Sequence, residues 1–534
     1  MTEPSSRSSP KETPVAAIAG VVSTAGNALP LRGPVGAKGT RRVPRAAARY
    51  FASLRAVLDQ DGLAVTVIAL DAAMLVVFSA AMLVQDSWLS FVDGRLIAAH
   101  WLPHTDTLTH WTLGRRWIDQ QWAAHLLLYE VAAHAGVVAA MAVGLLSVVS
   151  ALAVVAIAAR KLGASPARTA LGLLAPLAAF PWMIQLRSQT LALPLFAGVY
   201  ALLALDARRP SRRVFWVLPL LMVWANVHGS VALGAALVAL RGIDLLVRGA
   251  ARWRGLALVL CAPLATLASP YGFHLVAYYR LMLFHPPLAS FVQEWRPAYV
   301  SIATAAFFAS AFLLCAAWGA HPRAISVFEA CALAVLLVAA LLAVRNAVWF
   351  GLAAAIGLAR LLDAAWPTRI DTSPSIRRVN RLVASTALTA FLVLGAVQAV
   401  RLPSALHRAL PPSAAAAVAA AAGHDGIVLA DDAHADWLLW EQPLLAGRVA
   451  YDVRFELFDR SELEQLTQLQ VGSDPAVWRS CGSTARVVTF PGAAVERSVS
   501  REGTLARGSR PIVRIPGFVA VRQPVRDTGG HCGI

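Results

Sequence analysis

Charge is what this sequence has least of. Only 14% of its 534 residues are charged, against 58% hydrophobic. A soluble chain of that length covers its core with a polar shell, and about a quarter of its residues are usually Asp, Glu, Lys or Arg. The shortage excludes an ordinary soluble fold, so much of the apolar surface must face lipid. Acid is the scarcer sign, with 30 Asp and Glu against 47 Lys and Arg and a formal charge of +17. That excess of base does not point to nucleic acid. The basic residues sit in short clusters between apolar runs, not on one face with interleaved aromatics. Cysteine is also scarce. Cys261, Cys315 and Cys331 lie inside apolar runs, where a thiol behaves as a small hydrophobe, and no metal-type Cys/His spacing occurs. Cys481 and Cys532 fall in the polar C-terminal region, where a disulfide and two free thiols both remain open.

What is present is a series of apolar runs. Residues 1–60 are rich in Ser, Pro, Gly and Arg and read as a disordered basic tail on the cytoplasmic side. The first apolar segment, Leu63–Val84, starts too far in for a cleavable signal peptide and is long enough to cross a hydrocarbon core of roughly 30 Å. Further runs follow at 136–159, 167–184, 189–205, 214–227, 229–247, 255–269, 300–318, 324–344, 346–363 and 383–400. The amphipathic stretch Gln120–His134 puts Trp122, Leu126, Leu127 and Val131 on one face and is assigned to an interfacial helix.

Loop charge gives the runs a direction. With residues 1–60 inside, the inner loops hold Arg160 and Lys161, Arg208 to Arg213, Arg248 to Arg254, Arg323, and Arg369 to Arg381. Outer loops are poorer in base, as the positive-inside rule requires. The expected fold is therefore an all-α polytopic membrane bundle of about eleven transmembrane helices, with a small extracytoplasmic α/β C-terminal domain. The expected divisions are 1–60 tail, 61–401 transmembrane domain with a first outer loop at 85–135, and 402–534 outer domain. In the last, Gly426–Ala430, Arg448–Arg454, Arg486–Phe490 and Phe518–Val521 read as strands, and Ala433–Trp440 and Ser461–Gln468 as helices.

Direction also sorts the polar residues. The inner side carries mainly topogenic arginines. The outer side gathers Gln85, Asp86, Asp93, Asp106 and Asp119 in the first loop, then Arg187, Asn226, His228, Tyr271, Glu294, Arg296, Arg345 and Asn346. Ionisable groups at membrane depth are costly and mark functional sites by default. Acid, His and Arg at one interface suit a reaction there. Asp71 alone lies deep in a span.

The order of short motifs resembles a known family. Asp86 and Trp88 followed by Gly94, Pro103 with Asp106, and Gly114, Trp117, Gln120 and Trp122 match the first outer loop of GT-C-type membrane glycosyltransferases, in a large bacterial, mostly uncharacterised subgroup. Arg187 with Gln189, Asn226 with His228 and Gly229, Pro270 to Gly272, and Glu294 with Trp295 also match, as do Asp436 to Trp440 and Asp452 with Arg454. The resemblance covers about residues 63–460. It implies transfer of a sugar from a polyprenyl-phosphate-linked donor to a glycan, lipid or protein acceptor of the cell envelope, by a multi-pass protein of the cell membrane. It also implies roles. Asp86 is the expected catalytic base, since that task needs one acceptor within reach of a hydroxyl, and Asp106 is a second catalytic candidate. Arg187 and Arg345 are expected to grip the lipid phosphate with their planar forks of donors. Asn226, His228, Tyr271 and Glu294 are expected to bind substrate. Asp436, Trp437, Asp452 and Arg454 match the pattern without a role that follows from it.

The sequence departs from the family at Val84 and Ser90, where the pattern has Asp and His. The cofactor is therefore left unknown: a divalent metal ion is what a complete pattern would imply, and no metal ligand is assigned. Read without the family, the arginines suit snorkelling to headgroups, His228 a structural role, and the tryptophans an interfacial belt. Two rival functions use the same bundle: a transporter or lipid flippase with Asp71 on its path, and a non-catalytic envelope scaffold.

Overall fold

Helix-forming sequence runs straight through the expected border between tail and first span. In the computed structural model, α1 (Arg45–Val77) begins inside the stretch assigned to a disordered tail. The correction has a local cause: Leu54, Ala56 and Leu58 are strong helix formers, and Arg55 reaches Asp59 one turn later, Nε to Oδ2 3.8 Å. The structure describes residues 45–524 except 180–182, 250, 285–290, 368–372, 472–480, 482–483, 502–504 and 506–507. The expectations for residues 1–44, for part of the 167–184 run, for Arg369 and for Cys532 lie outside the described residues.

The chain is mostly helical. Among the described residues, five helices are long and apolar enough to cross a membrane: Ala52–Val77, Val137–Lys161, Ser188–Arg208, Val344–Ala365 and Pro374–Ala422. Two shorter apolar helices are Ala305–Ala320 and Val327–Leu342. Residues 53–534 form one compact unit.

After α1 come α2 (Gln85–His100) and α3 (Trp122–Ala135), packed along each other. Gly136, at φ 85°, separates α3 from α4 (Val137–Lys161), so the stretch expected as an interfacial helix is a helix of its own. Its 14 residues span about 21 Å, short of the roughly 30 Å core. The bundle continues with α5 (Pro166–Gly172), α6 (Ser188–Arg208), α7 (Val217–Trp224), α8 (Val231–Val247), α9 (Arg252–Ala265) and α10 (His274–Phe284). It closes with α11 (Ala305–Ala320), α12 (Val327–Leu342), α13 (Ala347–Ala365), α14 (Pro374–Ala409) and α15 (Pro412–Ala422).

Burial ranks these helices. The span containing α13 has 89% of its apolar window buried and is the central helix, while the one containing α14 has 11% and is peripheral. Small residues bring the centre together: a Cβ on Gly172 would lie 2.4 Å from the Ala355 carbonyl oxygen. Close backbone approach of this kind is how helices associate where hydrophobic burial gives no drive.

The C-terminal part adds α16 (Ala435–Glu441), α17 (Arg460–Val471) and α18 (Ala493–Arg501) around a four-stranded sheet. Its strands are β1 (Val428–Leu429), β2 (Val487–Phe490), β3 (Arg510–Ile515) and β4 (Phe518–Arg522), in the order β1-β2-β4-β3. β1 runs parallel to β2, and β4 pairs antiparallel with both its neighbours. Strand β3 was not expected from the sequence. Arg448–Arg454 was expected as a strand and is not one: only Val449 makes bridges, to Val428 and Thr109. Its continuation is drawn away from the sheet because Arg454 engages both Asp452 and Asp106. Cys481 is buried and disulfide-bonded.

The loop between α2 and α3 lies on this sheet. His110 N donates to Val449 O at 2.7 Å, Trp111 N to Ala450 O at 3.0 Å, and Gly447 N to Leu108 O at 2.8 Å. Arg95 donates to the carbonyls of Leu439 and Trp440, and Arg115 forms a fork with Glu462. α2, α3 and the loop between them are thus packed against the C-terminal part.

Candidate functional site

Two contacts, one from the Ser87 hydroxyl and one between backbones, set the first part of the site. Ser87, in the first turn of α2, donates to Leu186 O at 2.5 Å, and Leu186 N donates to Met82 O at 2.8 Å. The next residues on each side are Asp86 and Arg187, which are thereby placed face to face. Arg187 Nη1 lies 3.4 Å from Asp86 Oδ2 and 2.9 Å from both oxygens of Glu294. Glu294 is brought in by a third segment, since Val344 N donates to Arg296 O and Ala298 N to Leu341 O. The same clasp positions Arg345, whose Nη1 is 3.8 Å from Glu294 Oε1 and whose guanidinium lies 4.8 Å from the Trp295 ring centre. Arg345 Nη2 also meets Gln189 Oε1 at 3.4 Å.

Arg187 is only 3% exposed, yet its Nε and Nη2 have no hydrogen-bond partner. Asp86 is the accessible member, with 39% of its side chain exposed. The first turn of α2 also favours a carboxylate there through the helix dipole. Glu294 is held below the usual carboxylate range: burial opposes this, but Arg345 and Arg187 outweigh it.

His228 follows α7. Its Nδ1 accepts from Ser230 N at 3.1 Å and meets Ser230 Oγ at 2.7 Å. Burial, then Arg345, Arg187 and His125, depress its pKa well below the ordinary histidine value. It is a neutral imidazole, and an Nδ1 acting as acceptor leaves its proton on Nε2.

The remaining expected residues are pins. Asn226 Oδ1 accepts from Trp122 Nε1 at 2.8 Å, while its amide donates to the Met222 and Ala268 carbonyls. Tyr271 is buried and donates to Pro103 O at 2.8 Å, and its phenol is pushed above the ordinary range, mainly by burial. Asp106 is wholly buried and accepts from Leu108 N, Thr109 Oγ1, Thr112 Oγ1 and Arg454 Nη2 at 2.6 to 2.9 Å. These donors hold it below the usual carboxylate range although burial opposes them.

A second group lies between α2, α3 and the C-terminal part. His125 Nδ1 is 2.8 Å from Asp119 Oδ2 and 3.6 Å from Asp93 Oδ2. One ligand atom from each of the three lies within 4.8 Å of the others, so this is the set that could hold a metal ion among the described residues. The α2–α3 approach that sets it depends on Gly94, where a Cβ would lie 2.2 Å from the His125 carbonyl oxygen. Arg454 binds Asp452 as well as Asp106, and lies 4.5 Å from the Trp117 ring centre. Asp436 is buried with both carboxylate oxygens unpartnered, and burial and then Asp452 raise its pKa well above the usual range. Glu456 meets Trp117 Nε1 at 3.4 Å, and burial pushes its carboxyl up to about 7.

Asp93 and Asp119 were noted in the sequence as first-loop acids, His125 only as a residue of the interfacial helix, and Glu456 not at all. One signal was legible: Asp93 follows Asp86 by two helical turns and so shares its face. Asp71, the deep acid, stands apart and lines a small cavity with Leu75, Val148, Leu152, Pro176 and Met183.

No protein-family model matches the chain, and no curated protein matches it. Among solved structures, it is similar to ArnT from Cupriavidus metallidurans in the apo state, with TM-score 0.49 and 14% identity over 89% of this chain and 98% of that one. The same protein bound to undecaprenyl phosphate aligns with TM-score 0.47 and 14% identity over 91% and 99%. Likeness at this level carries no assignment of activity.

Proposed function

We propose that the chain is a GT-C-type membrane glycosyltransferase that moves a sugar from a polyprenyl-phosphate-linked donor to a cell-envelope acceptor at the outer face. The observation that carries this reading is the convergence of Asp86, Arg187, Glu294 and Arg345, with two nitrogens of the buried Arg187 left without an acceptor. A buried guanidinium with unmatched donors is suited to an anion, and a phosphate oxygen pair fits its fork. Arg345 adds a second cation, and His228 a neutral N–H donor that brings no charge of its own.

In the proposed reaction the phosphate of the donor sits on Arg187 and Arg345, and its lipid tail stays in the bilayer. Asp86 takes the proton from an acceptor hydroxyl. The acceptor oxygen forms the bond to the anomeric carbon as the bond from that carbon to the phosphate oxygen breaks. Polyprenyl phosphate leaves with the electron pair, its charge matched by the two arginines. Asp106, with its oxygens taken, acts as a clamp and not as a reacting acid.

On this reading the bundle has about eleven spans. The shorter helices α5, α7, α8, α9, α11 and α12 cross together with the five long ones, the N-terminus faces the cytoplasm, and residues 402–534 lie outside. The test is transfer of labelled sugar from a polyprenyl-phosphate donor by membranes carrying the wild type or Asp86→Asn. Transfer is expected to fall by about 100-fold or more, the usual effect of removing a general base. Wild-type turnover by the variant would remove Asp86 from the chemistry.

A further inference from the structure

We propose that Asp93, Asp119 and His125 form a binding site for one divalent first-row metal ion of the Zn2+ or Mn2+ kind. This stands on geometry and does not rest on the transferase reading. No metal ligand was legible in the sequence, because the family pattern is broken at Val84 and Ser90. The site lies elsewhere, two turns along α2 from Asp86 and across from α3.

Three observations support it. The first is spacing. Two ligands about 2.1 Å from one ion, at angles between about 90° and 110°, lie about 3.0 to 3.4 Å apart. His125 Nδ1 is 2.8 Å from Asp119 Oδ2 and 3.6 Å from Asp93 Oδ2, on either side of that range. Small side-chain shifts close both gaps around an ion.

The second is an unpaired carboxylate. Asp93 is 0% exposed, and neither of its oxygens has a hydrogen-bond partner, although Oδ2 points towards the imidazole. A buried carboxylate without donors is strongly disfavoured unless a charge compensates it. Asp436, 1% exposed, repeats the pattern from the C-terminal part. Arg454 bonds Asp106 and Asp452 and makes no hydrogen bond to Asp93, although its Nη1 has no partner of its own.

The third is the donor set. Two carboxylates and an imidazole suit Zn2+ or Mn2+ better than Ca2+ or Mg2+, which favour oxygen alone. Three protein ligands also leave a coordination position for water or a substrate oxygen. Uptake replaces the His125–Asp119 hydrogen bond with bonds from both residues to the ion.

The test uses the full chain in detergent, stripped with EDTA and desalted. It is titrated with ZnCl2 or MnCl2 by calorimetry, and retained metal is counted by elemental analysis after gel filtration. The expected result is one ion per chain for the wild type and for His134→Gln, an exposed histidine control. Asp93→Asn and His125→Gln are expected to lower the affinity by at least about 100-fold. Without metal, Asp93→Asn is expected to melt no lower than wild type, because neither Asp93 oxygen has a hydrogen-bond partner to lose. If either variant fails to fold, the other decides. Wild-type protein that retains no metal, or variants that bind it as wild type does, would overturn the site.

Discussion

Replacing Arg454 with Met should unfasten the first loop from the C-terminal part. Arg454 is 2% exposed and donates to Asp106 Oδ1 at 2.7 Å and to Asp452 Oδ2 at 2.6 Å. Removing one partner of a buried ion pair costs about 3–5 kcal/mol, because the remaining charge is left unmatched. Here two carboxylates are stranded, and the contact with the Trp117 ring, about 0.5–2 kcal/mol, is lost as well. Part of this is offset. Asp106 keeps its bonds from Leu108, Thr109 and Thr112, and Asp452 keeps the backbone N–H of residue 454. The expected net loss at pH 7.5 is therefore about 4 kcal/mol. Its pH dependence has a definite sign. Arg454 helps hold the Asp106 carboxyl below its usual range, which stabilises the fold above the unfolded pKa and is lost on acidification. The gap between variant and wild type should thus hold down to about the ordinary Asp value of 3.8 and narrow only below it. Tryptophan fluorescence during chemical unfolding in detergent measures it. A paired Asp452→Asn/Arg454→Met variant should recover on the order of 1–3 kcal/mol as coupling. A loss below about 1 kcal/mol, or a gap that does not narrow below about pH 3.8, would refute the clamp.

Two further outcomes follow from the same geometry. Glu456 has its carboxyl pushed from 4.5 to about 7 by burial, so its protonated form is favoured in the fold. The associated stability is full below about pH 4.5 and is lost as pH rises through about 7. Glu456→Gln should flatten the melting temperature across that window, and an unchanged slope would exclude Glu456 as its source. Gly94→Ala places a methyl against the His125 carbonyl and Tyr129, so α2 and α3 must separate. It should cost about 1–3 kcal/mol by overpacking and weaken metal binding as well, and titration of the variant with MnCl2 reads the second effect.

How much was legible can be seen residue by residue. The apolar runs became helices because hydrophobic length is a property of contiguous sequence. The stop at Gly136 and the strands at 428–429, 487–490 and 518–522 were local in the same way. Residues 45–60 were misread because polar composition suggested disorder where helix propensity and an Arg55–Asp59 pair prevailed. Asp106 and Arg187 looked alike as charged residues near span ends. One has all its bonds made and the other has two nitrogens with none, and that difference is set by partners far away in the chain.

The sequence by itself determined that the protein needs lipid around it, that its helices are long and apolar, and which polar residues crowd the ends of the runs. These follow from composition and periodicity, which are additive along the chain. Only the tertiary structure decided that Asp86, Arg187, Glu294 and Arg345 meet, and that Asp93 is shut away with His125 and Asp119. Such meetings depend on which backbone can approach which. Here that turned on Ser87 reaching the Leu186 carbonyl and on a missing side chain at Gly94.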